Sequence, residues 1–339
     1  MPPRLKVKKS KKGCVRPNSV LATEADLFTE RMVRMKRIPF SKDPERFIAR
    51  EIVRFTQRSP WNRRKVDGGK FWDRPLVAFA AGDDLLFKQY KKIIGKYHFT
   101  PQEIFELTYG KSRRPKELSV ISWVLPASED IRRSNRKEKI YPSLLWAHAR
   151  NFGEQFNVKL RNHVVAVLKK KGYQAVAPMN SPHFRRLKSP RVGFASTWSE
   201  RHVAYACGLG AFGLSDGLIT PKGKAIRVGS VVTNLPLHPS QRIYPNHHAN
   251  CLYYSNGTCK VCAKRCPAGA ITAKGHDKDK CREYAYSSLK TKKAEYGVKI
   301  TGCGLCQTSV PCEFEIPKLI QRAHRQRAAS GKTPPSASR

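Results

Sequence analysis

Eight of the chain's ten cysteines lie between positions 251 and 312: Cys251, Cys259, Cys262, Cys266, Cys281, Cys303, Cys306 and Cys312. Cys259, Cys262, Cys266 and Pro267 read C-x2-C-x3-C-P, the last three cysteines of the run C-x2-C-x2-C-x3-C-P that holds paired [4Fe-4S] clusters. Such a cube needs four thiolates converging from different sides. A C-x2-C turn supplies two, and the cysteine before proline goes to the other cluster. Cys303 and Cys306 form a second C-x2-C, with Cys281 upstream and Cys312 downstream. The total of eight thiols is what two cubes require.

Asn256 stands where the first cysteine of the upstream copy would fall, so Cys251 is assigned that role. The crossed pattern then groups Cys251, Cys259, Cys262 and Cys312 on one cluster, and Cys266, Cys281, Cys303 and Cys306 on the other. Two C-x2-C pairs also suit a tetrahedral all-thiolate zinc site, and disulfides are a third reading. The stretch from Cys266 to Ile271, CPAGAI, and the eight-ligand count favour the cubes. Cys14 and Cys207 stand apart and read as ordinary small hydrophobes, and His247 and His248 as loop residues.

The chain has 339 residues, with 66 Lys and Arg against 25 Asp and Glu, for a formal charge of +41. That excess excludes an acidic buffer protein and predicts attraction to polyanions. Hydrophobic residues at 40% supply enough apolar surface for a packed core. The basic start lacks the apolar run of a secretory signal, Arg63-Arg64 is followed by no apolar segment, and no stretch approaches a membrane span. These features predict a cytoplasmic protein, where clustered thiols serve as metal ligands more often than as disulfides.

The thiols need a scaffold. Residues 43–59 carry apolar side chains at helical spacing, with Ser41 or Asp43 as cap. Residues 75–81, PLVAFAA, read as a buried strand, and 84–94 as a helix ended by Gly95. Residues 119–125 and 226–233 are strand candidates. A helical pattern covers 143–172 with a break near Gly153, and 173–176 is extended. Helices alternating with strands imply α/β layers.

Gly208, Gly210 and Gly213 match G-x-G-x-x-G, but in a dinucleotide fold that run follows a strand and opens a helix. Here a helix over 199–207 precedes it and an extended segment over 218–220 follows. The glycines therefore read as a tight turn or as backbone approaching a bulky ligand. Gly110-Lys111-Ser112 and Gly331-Lys332-Thr333 lack the earlier glycine of a phosphate loop, which is Phe105 in one and Gln326 in the other.

The run STWSERHVAYACGLGAFGLSDGLIT, the segment through Leu237 and the dicluster cysteines together resemble the epoxyqueuosine reductase and reductive dehalogenase superfamily. The likeness extends over residues 45–318. It implies an α/β (α+β) fold: a nitroreductase-like α/β sandwich domain binding a base-off corrinoid (cobalamin), followed by a small ferredoxin-like domain with two [4Fe-4S] clusters. Carried over residue by residue, it makes Ser196, Gly208, Gly210, Gly213, Ser215, Gly217, Thr220, Arg227, Gly229 and Ser230 the corrinoid border. One position departs: the acidic residue six places before the Glu-Arg pair in epoxyqueuosine reductases is Phe194 here. Tyr141, Tyr173 and Tyr205 are the tyrosines considered as substitutes, and no catalytic residue is assigned.

These readings divide the chain into a basic, partly mobile segment (1–42), a corrinoid-binding-like α/β domain (43–245), a dicluster domain (246–318) and a disordered basic tail (319–339). The leading expectation is an iron-sulfur oxidoreductase that takes electrons from a low-potential ferredoxin or flavodoxin and reduces an unidentified substrate at a corrinoid. The alternatives are an electron-transfer protein without corrinoid catalysis, with flavin or no second cofactor, and a tRNA-binding iron-sulfur protein. No membrane partner is expected.

Overall fold

A computed structural model describes residues 39–113, 115 and 117–329. Cys14, nearly all of the basic 1–42 segment and residues 330–339 of the tail lie outside the described residues. In chain order the first part runs through α1 (Pro44–Arg58), β1 (Leu76–Ala81), α2 (Leu85–Ile93), α3 (Pro101–Tyr109), β2 (Ser119–Pro126), α4 (Glu129–Arg136) and α5 (Leu144–Lys170). It continues through β3 (Ala175–Val176), a hairpin of β4 (Arg186–Ser189) and β5 (Gly193–Ser196), α6 (Glu200–Ala206), the paired β6 (Ala211–Phe212) and β7 (Leu218–Ile219), and β8 (Ile226–Thr233).

The sheet has the order β1-β2-β8-β3, and every neighbouring pair is antiparallel, with Leu76 opposite Val124 and Ser119 opposite Thr233. Successive side chains of a strand point to opposite faces. Val77, Phe79, Ile121, Trp123 and Val231 accordingly pack on α1 and α5 through Ile48, Ile52, Phe156 and Leu160. Leu76, Ala78, Val120, Val124 and Val232 pack on α2, α3 and α6 through Phe87, Ile104, Phe105 and Val203. With both faces covered, β2 is buried at every position. The result is the expected sandwich, in its α+β form: alternating helices and strands suggested layers, and the pairing within the sheet is antiparallel throughout.

Local signals explain several boundaries. Asp43 caps α1 by accepting from the Arg46 amide at 2.9 Å, and Thr100 and Glu103 form a capping box on α3. The break expected in the long helix does not occur; α5 runs without interruption through Gly153. That glycine serves packing: a Cβ there would sit 2.7 Å from the Trp72 ring, whose Nε1 donates to the Gly153 carbonyl at 3.1 Å.

The cysteine-rich part contains α7 (Leu252–Asn256), α8 (Val261–Lys264), the pair β9 (Ile271–Thr272) and β10 (Gly275–His276), α9 (Lys278–Glu283), a π-helical stretch Tyr284–Ser288, α10 (Lys290–Glu295) and α11 (Lys318–Ala329). Its core joins Cys251, Cys262, Ile271 and Val310 to Ala211, Leu214 and Ile219 from the preceding loop and to Ile316 and Ile320. The tail expected to be disordered from residue 319 therefore begins as a helix. Ile320 is buried in this core and His324 Nε2 meets Asn250 Oδ1 at 3.0 Å, anchors that its polar composition hides. Among the described residues, no helix is long and apolar enough to cross a membrane.

Candidate cysteine sites and the adjoining cleft

The short elements between residues 251 and 312 place the eight thiols on two cavity walls. Cys251, Cys259, Cys262 and Cys312 line one small cavity, together with Gly213, Lys224, Pro311 and Pro317. Cys266, Cys281, Cys303 and Cys306 line a second. The chain thus brings together the same two foursomes that the crossed spacing groups. None of the nine described cysteines is in a disulfide. Among the described residues, no three His, Cys, Asp or Glu side chains close around a single ion.

The electrostatics of Cys303 and Cys312 follow the same division, while Cys262 also feels Cys306 across it. Burial pushes the Cys303 thiol up to about 12, with Cys306, Cys281 and Cys266 adding to it against a backbone hydrogen bond from Leu305. Burial likewise pushes Cys312 up to about 11; Lys224 opposes the rise, and Cys251, Cys262 and Cys259 add to it. Four thiols facing one another resist ionising together, so a metal that binds them as thiolates must displace their protons. The Ala270 amide donates to Cys266 Sγ at 3.3 Å, the kind of hydrogen bond that steadies a metal-bound sulfur.

Lys224 sits between the two foursomes and is only 2% exposed. Its amide bonds the Cys312 carbonyl at 2.9 Å, and its Nζ donates to Ser215 Oγ at 2.6 Å. Ser215 and Cys306 share the wall of the second cavity.

The Cys266 set opens onto a cleft made of two adjoining cavities of about 320 and 420 Å³, whose shared walls include Arg150, Phe194, Arg201, Arg227 and Tyr286. Volumes of this order suit a bound organic molecule. A buried ion-pair network forms its floor. Arg161 Nη1 lies 3.0 Å from Glu154 Oε1, and its Nε lies 3.3 Å from Glu200 Oε1. Arg227 Nε lies 3.1 Å from Glu154 Oε2, and Ser230 Oγ donates to Glu200 Oε2 at 2.6 Å. Burial pushes both carboxyls up. At Glu154 three arginines, Arg227, Arg161 and Arg150, outweigh it and hold the group below its usual range. At Glu200 burial prevails over Arg161 and the Ser230 hydroxyl, and the carboxyl is pushed up to about 7. One arginine between two carboxylates leaves the less well-paired of them to keep a proton.

Of the ten residues carried over for the cofactor, Ser196, Ser215, Gly217 and Arg227 line the cleft. The others are used by the protein itself. A Cβ at Gly208 would meet the Gln241 carbonyl, one at Gly210 the Ile219 carbonyl, and one at Gly229 the Trp123 ring. Gly213 lines the first cysteine cavity, Thr220 bonds Gly223, and Ser230 is held by Glu200 and by the Trp198 indole. Phe194, at the departing position, projects from β5 into the cleft wall with the Arg282 guanidinium 4.9 Å over its ring. Tyr141, Tyr173 and Tyr205 lie elsewhere: Tyr141 under Lys292, Tyr173 near Phe40 and Tyr205 near Phe212. His247 and His248 pack against each other, and Cys207 is buried against β2.

Sequence reasoning passed over Arg150, Glu154, Lys224 and Tyr286. The spacing of Arg150 and Glu154, one turn apart on α5, was available as a signal. Nothing local marks Tyr286, which reaches the cleft from the π-helical stretch. Its hydroxyl accepts from Arg150 Nη2 at 3.1 Å. Burial pushes this phenol up, but the charge and hydrogen bond of Arg150 together with the charges of Arg227 and Arg186 outweigh it, and the net shift is downward.

No protein-family profile matches the chain. Epoxyqueuosine reductase of Staphylococcus aureus (strain NCTC 8325 / PS 47) is 28% identical over 119 residues, which cover 33% of this chain and 29% of that protein. The match therefore spans under a third of the relative's length. Among solved structures, epoxyqueuosine reductase from Bacillus subtilis is similar at 18% identity and a TM-score of 0.42, over 81% of this chain and 67% of that one. An epoxyqueuosine reductase with a modified tRNA-Tyr stem loop gives 18% and 0.42, over 74% and 65%. A catabolic reductive dehalogenase in complex with 3-bromo-4-hydroxybenzoic acid gives 16% and 0.46, over 89% and 38%.

Proposed function

We propose that this chain is an iron-sulfur oxidoreductase in which residues 246–318 hold two [4Fe-4S] clusters and the cleft between that part and residues 43–245 holds a corrinoid at which an unidentified substrate is reduced. One observation carries the reading: Cys266, Cys281, Cys303 and Cys306 line the same cavity as Arg150, Phe194 and Arg227. The donors fit the groups. Eight unpaired thiols on two walls, with an amide donating to one sulfur, suit two all-thiolate clusters. When bound, the clusters would supply single low-potential electrons and the corrinoid a metal that becomes strongly reducing.

The chain's own residues then have separable tasks. The Cys251 set backs onto Gly213, Pro311 and Pro317 and would hold its cluster away from the cleft, while the Cys266 set would hold its cluster facing it. Arg150, Arg201 and Arg227 give the cleft wall a positive character that favours an electron-rich ligand. Glu200 stays partly protonated near neutral pH and Glu154 retains its charge. Lys260 and Lys264 among the cysteines offer an acidic ferredoxin or flavodoxin a docking face, and a cytoplasmic setting suits the unpaired thiols.

Metal and cofactor analysis of anaerobically purified protein tests the proposal. About eight iron and eight sulfide per chain, with about one cobalt, support it. Iron at that level with neither cobalt nor flavin would leave electron transfer alone, a reading favoured by the six carried-over positions that pack on the protein itself and by Phe194. The charge of +41 keeps tRNA as a candidate substrate or partner. A tRNA titration across salt concentration decides that point, since phosphate contacts weaken steeply with salt.

A further inference from the structure

A buried ammonium normally has a carboxylate beside it, because taking an unpaired charge out of water costs several kcal/mol in effective terms. Lys224 is fully enclosed, and the partner of its Nζ is a neutral hydroxyl, Ser215 Oγ at 2.6 Å. The carboxylate of the adjacent Glu313 is taken up by Arg136, at 2.8 and 3.0 Å. Cys312, Cys262 and Cys251 of one foursome and Cys306 of the other act on the charge of Lys224. Lys224 lines the cavity of Cys251, Cys259, Cys262 and Cys312, its amide bonds the Cys312 carbonyl, and its partner Ser215 lines the second cavity with Cys306. Lys224 also lines the cleft, but among the described residues no carboxylate pairs with its Nζ, so metal-bound thiolates are the negative charge nearest to hand.

We propose that Lys224 is a positioning residue that serves as the shared counter-charge of the two metal centres, holding both reduction potentials up and linking them electrostatically. The inference rests on the cluster reading above. A fixed positive charge favours the more negative, reduced form of each centre, so its removal makes both harder to reduce. Lys224 lines the first cavity and its hydrogen-bond partner Ser215 lines the second, so its position ties it to neither sulfur set alone.

The test compares native protein with Lys224→Met and Lys224→Arg, each purified without oxygen, by iron and sulfide content and by redox titration followed by electron paramagnetic resonance. Lys224→Met shifts both midpoint potentials to more negative values, and Lys224→Arg keeps both near native. If Lys224→Met loses iron while Lys224→Arg stays loaded, the charge requirement is also supported. Loaded Lys224→Met with unchanged potentials, a shift at one centre only, or equal iron loss from both variants overturns the inference. A native protein without iron and sulfide overturns the cluster reading itself, which is distinguishable because it appears before any substitution is made.

Discussion

The Arg150 guanidinium donates to the Tyr286 hydroxyl at 3.1 Å, joining the long helix of the sandwich to the π-helical stretch of the cysteine-rich part across the cleft. Arg150 also bears on the ionisation of that phenol: its charge and hydrogen bond, joined by the charges of Arg227 and Arg186, overcome the larger single effect of burial. Replacing Arg150 with Met should raise the Tyr286 midpoint, followed by phenolate absorbance against a Tyr286→Phe control. It should also cost about 1.5–3 kcal/mol in stability, the usual range for a hydrogen bond to a charged group. An unmoved phenolate midpoint would show that the contact does not control the phenol.

Glu200 makes stability depend on pH in a stated direction. Its folded-state midpoint is raised to about 7 from an ordinary 4.5, so between those values the folded chain binds more protons than the unfolded one. Stability therefore falls as pH rises from about 4.5 to about 7 and levels off above that window. Glu200→Gln should flatten this part of the profile, read from urea midpoints at a series of pH values. A slope unchanged by the substitution would place the proton elsewhere.

Glu154 predicts the opposite sign. Its carboxyl is held below the ordinary range, so its contribution is present above 4.5 and is lost as the solution is acidified below it. In Glu154→Gln, Arg161 and Arg227 lose a shared partner, and a loss of about 3–5 kcal/mol is expected from breaking a buried pair on one side. Equilibrium unfolding at neutral pH measures it, and a change under about 1 kcal/mol would show that solvent reaches the network.

Gly153→Ala tests the helix that passes the cleft. The added methyl meets the Trp72 ring at 2.7 Å and forces apart the contact made by the indole hydrogen bond. Helix propensity alone would favour alanine by about 1 kcal/mol. Overpacking should win, giving a net loss of about 1–3 kcal/mol by denaturant midpoint. A stabilised variant would mean that the indole moves freely.

Cys259→Ala and Cys303→Ala probe the two thiol sets one at a time. If each set holds one cluster, each variant should retain about four iron per chain instead of about eight. Loss of all iron from either variant would show that this part of the chain folds only around both clusters.

Much of the scaffold is legible because its signals are local. The runs at β1, β2 and β8 are long and apolar, Asp43 and Ser143 announce the starts of α1 and α5, and the cysteine spacing alone groups the thiols as the cavities do. The failures share a cause as well. Gly153 reads as a helix breaker because the indole it accommodates is distant in sequence, and the polar tail conceals the few apolar residues that anchor α11. Arg150, Glu200, Arg227 and Tyr286 meet in one cleft from four separate segments, and no pattern within any single segment could have paired them.

The core that joins Cys251 and Cys262 to Ala211, Leu214 and Ile219 bears on how this chain could be cut and recombined. A fragment beginning after residue 245 would leave behind much of the apolar wall of its first cysteine cavity, and Lys224 with it. The cysteine-rich part is therefore no portable cassette: grafted onto another protein, it would need the 211–224 loop as its own inner lining.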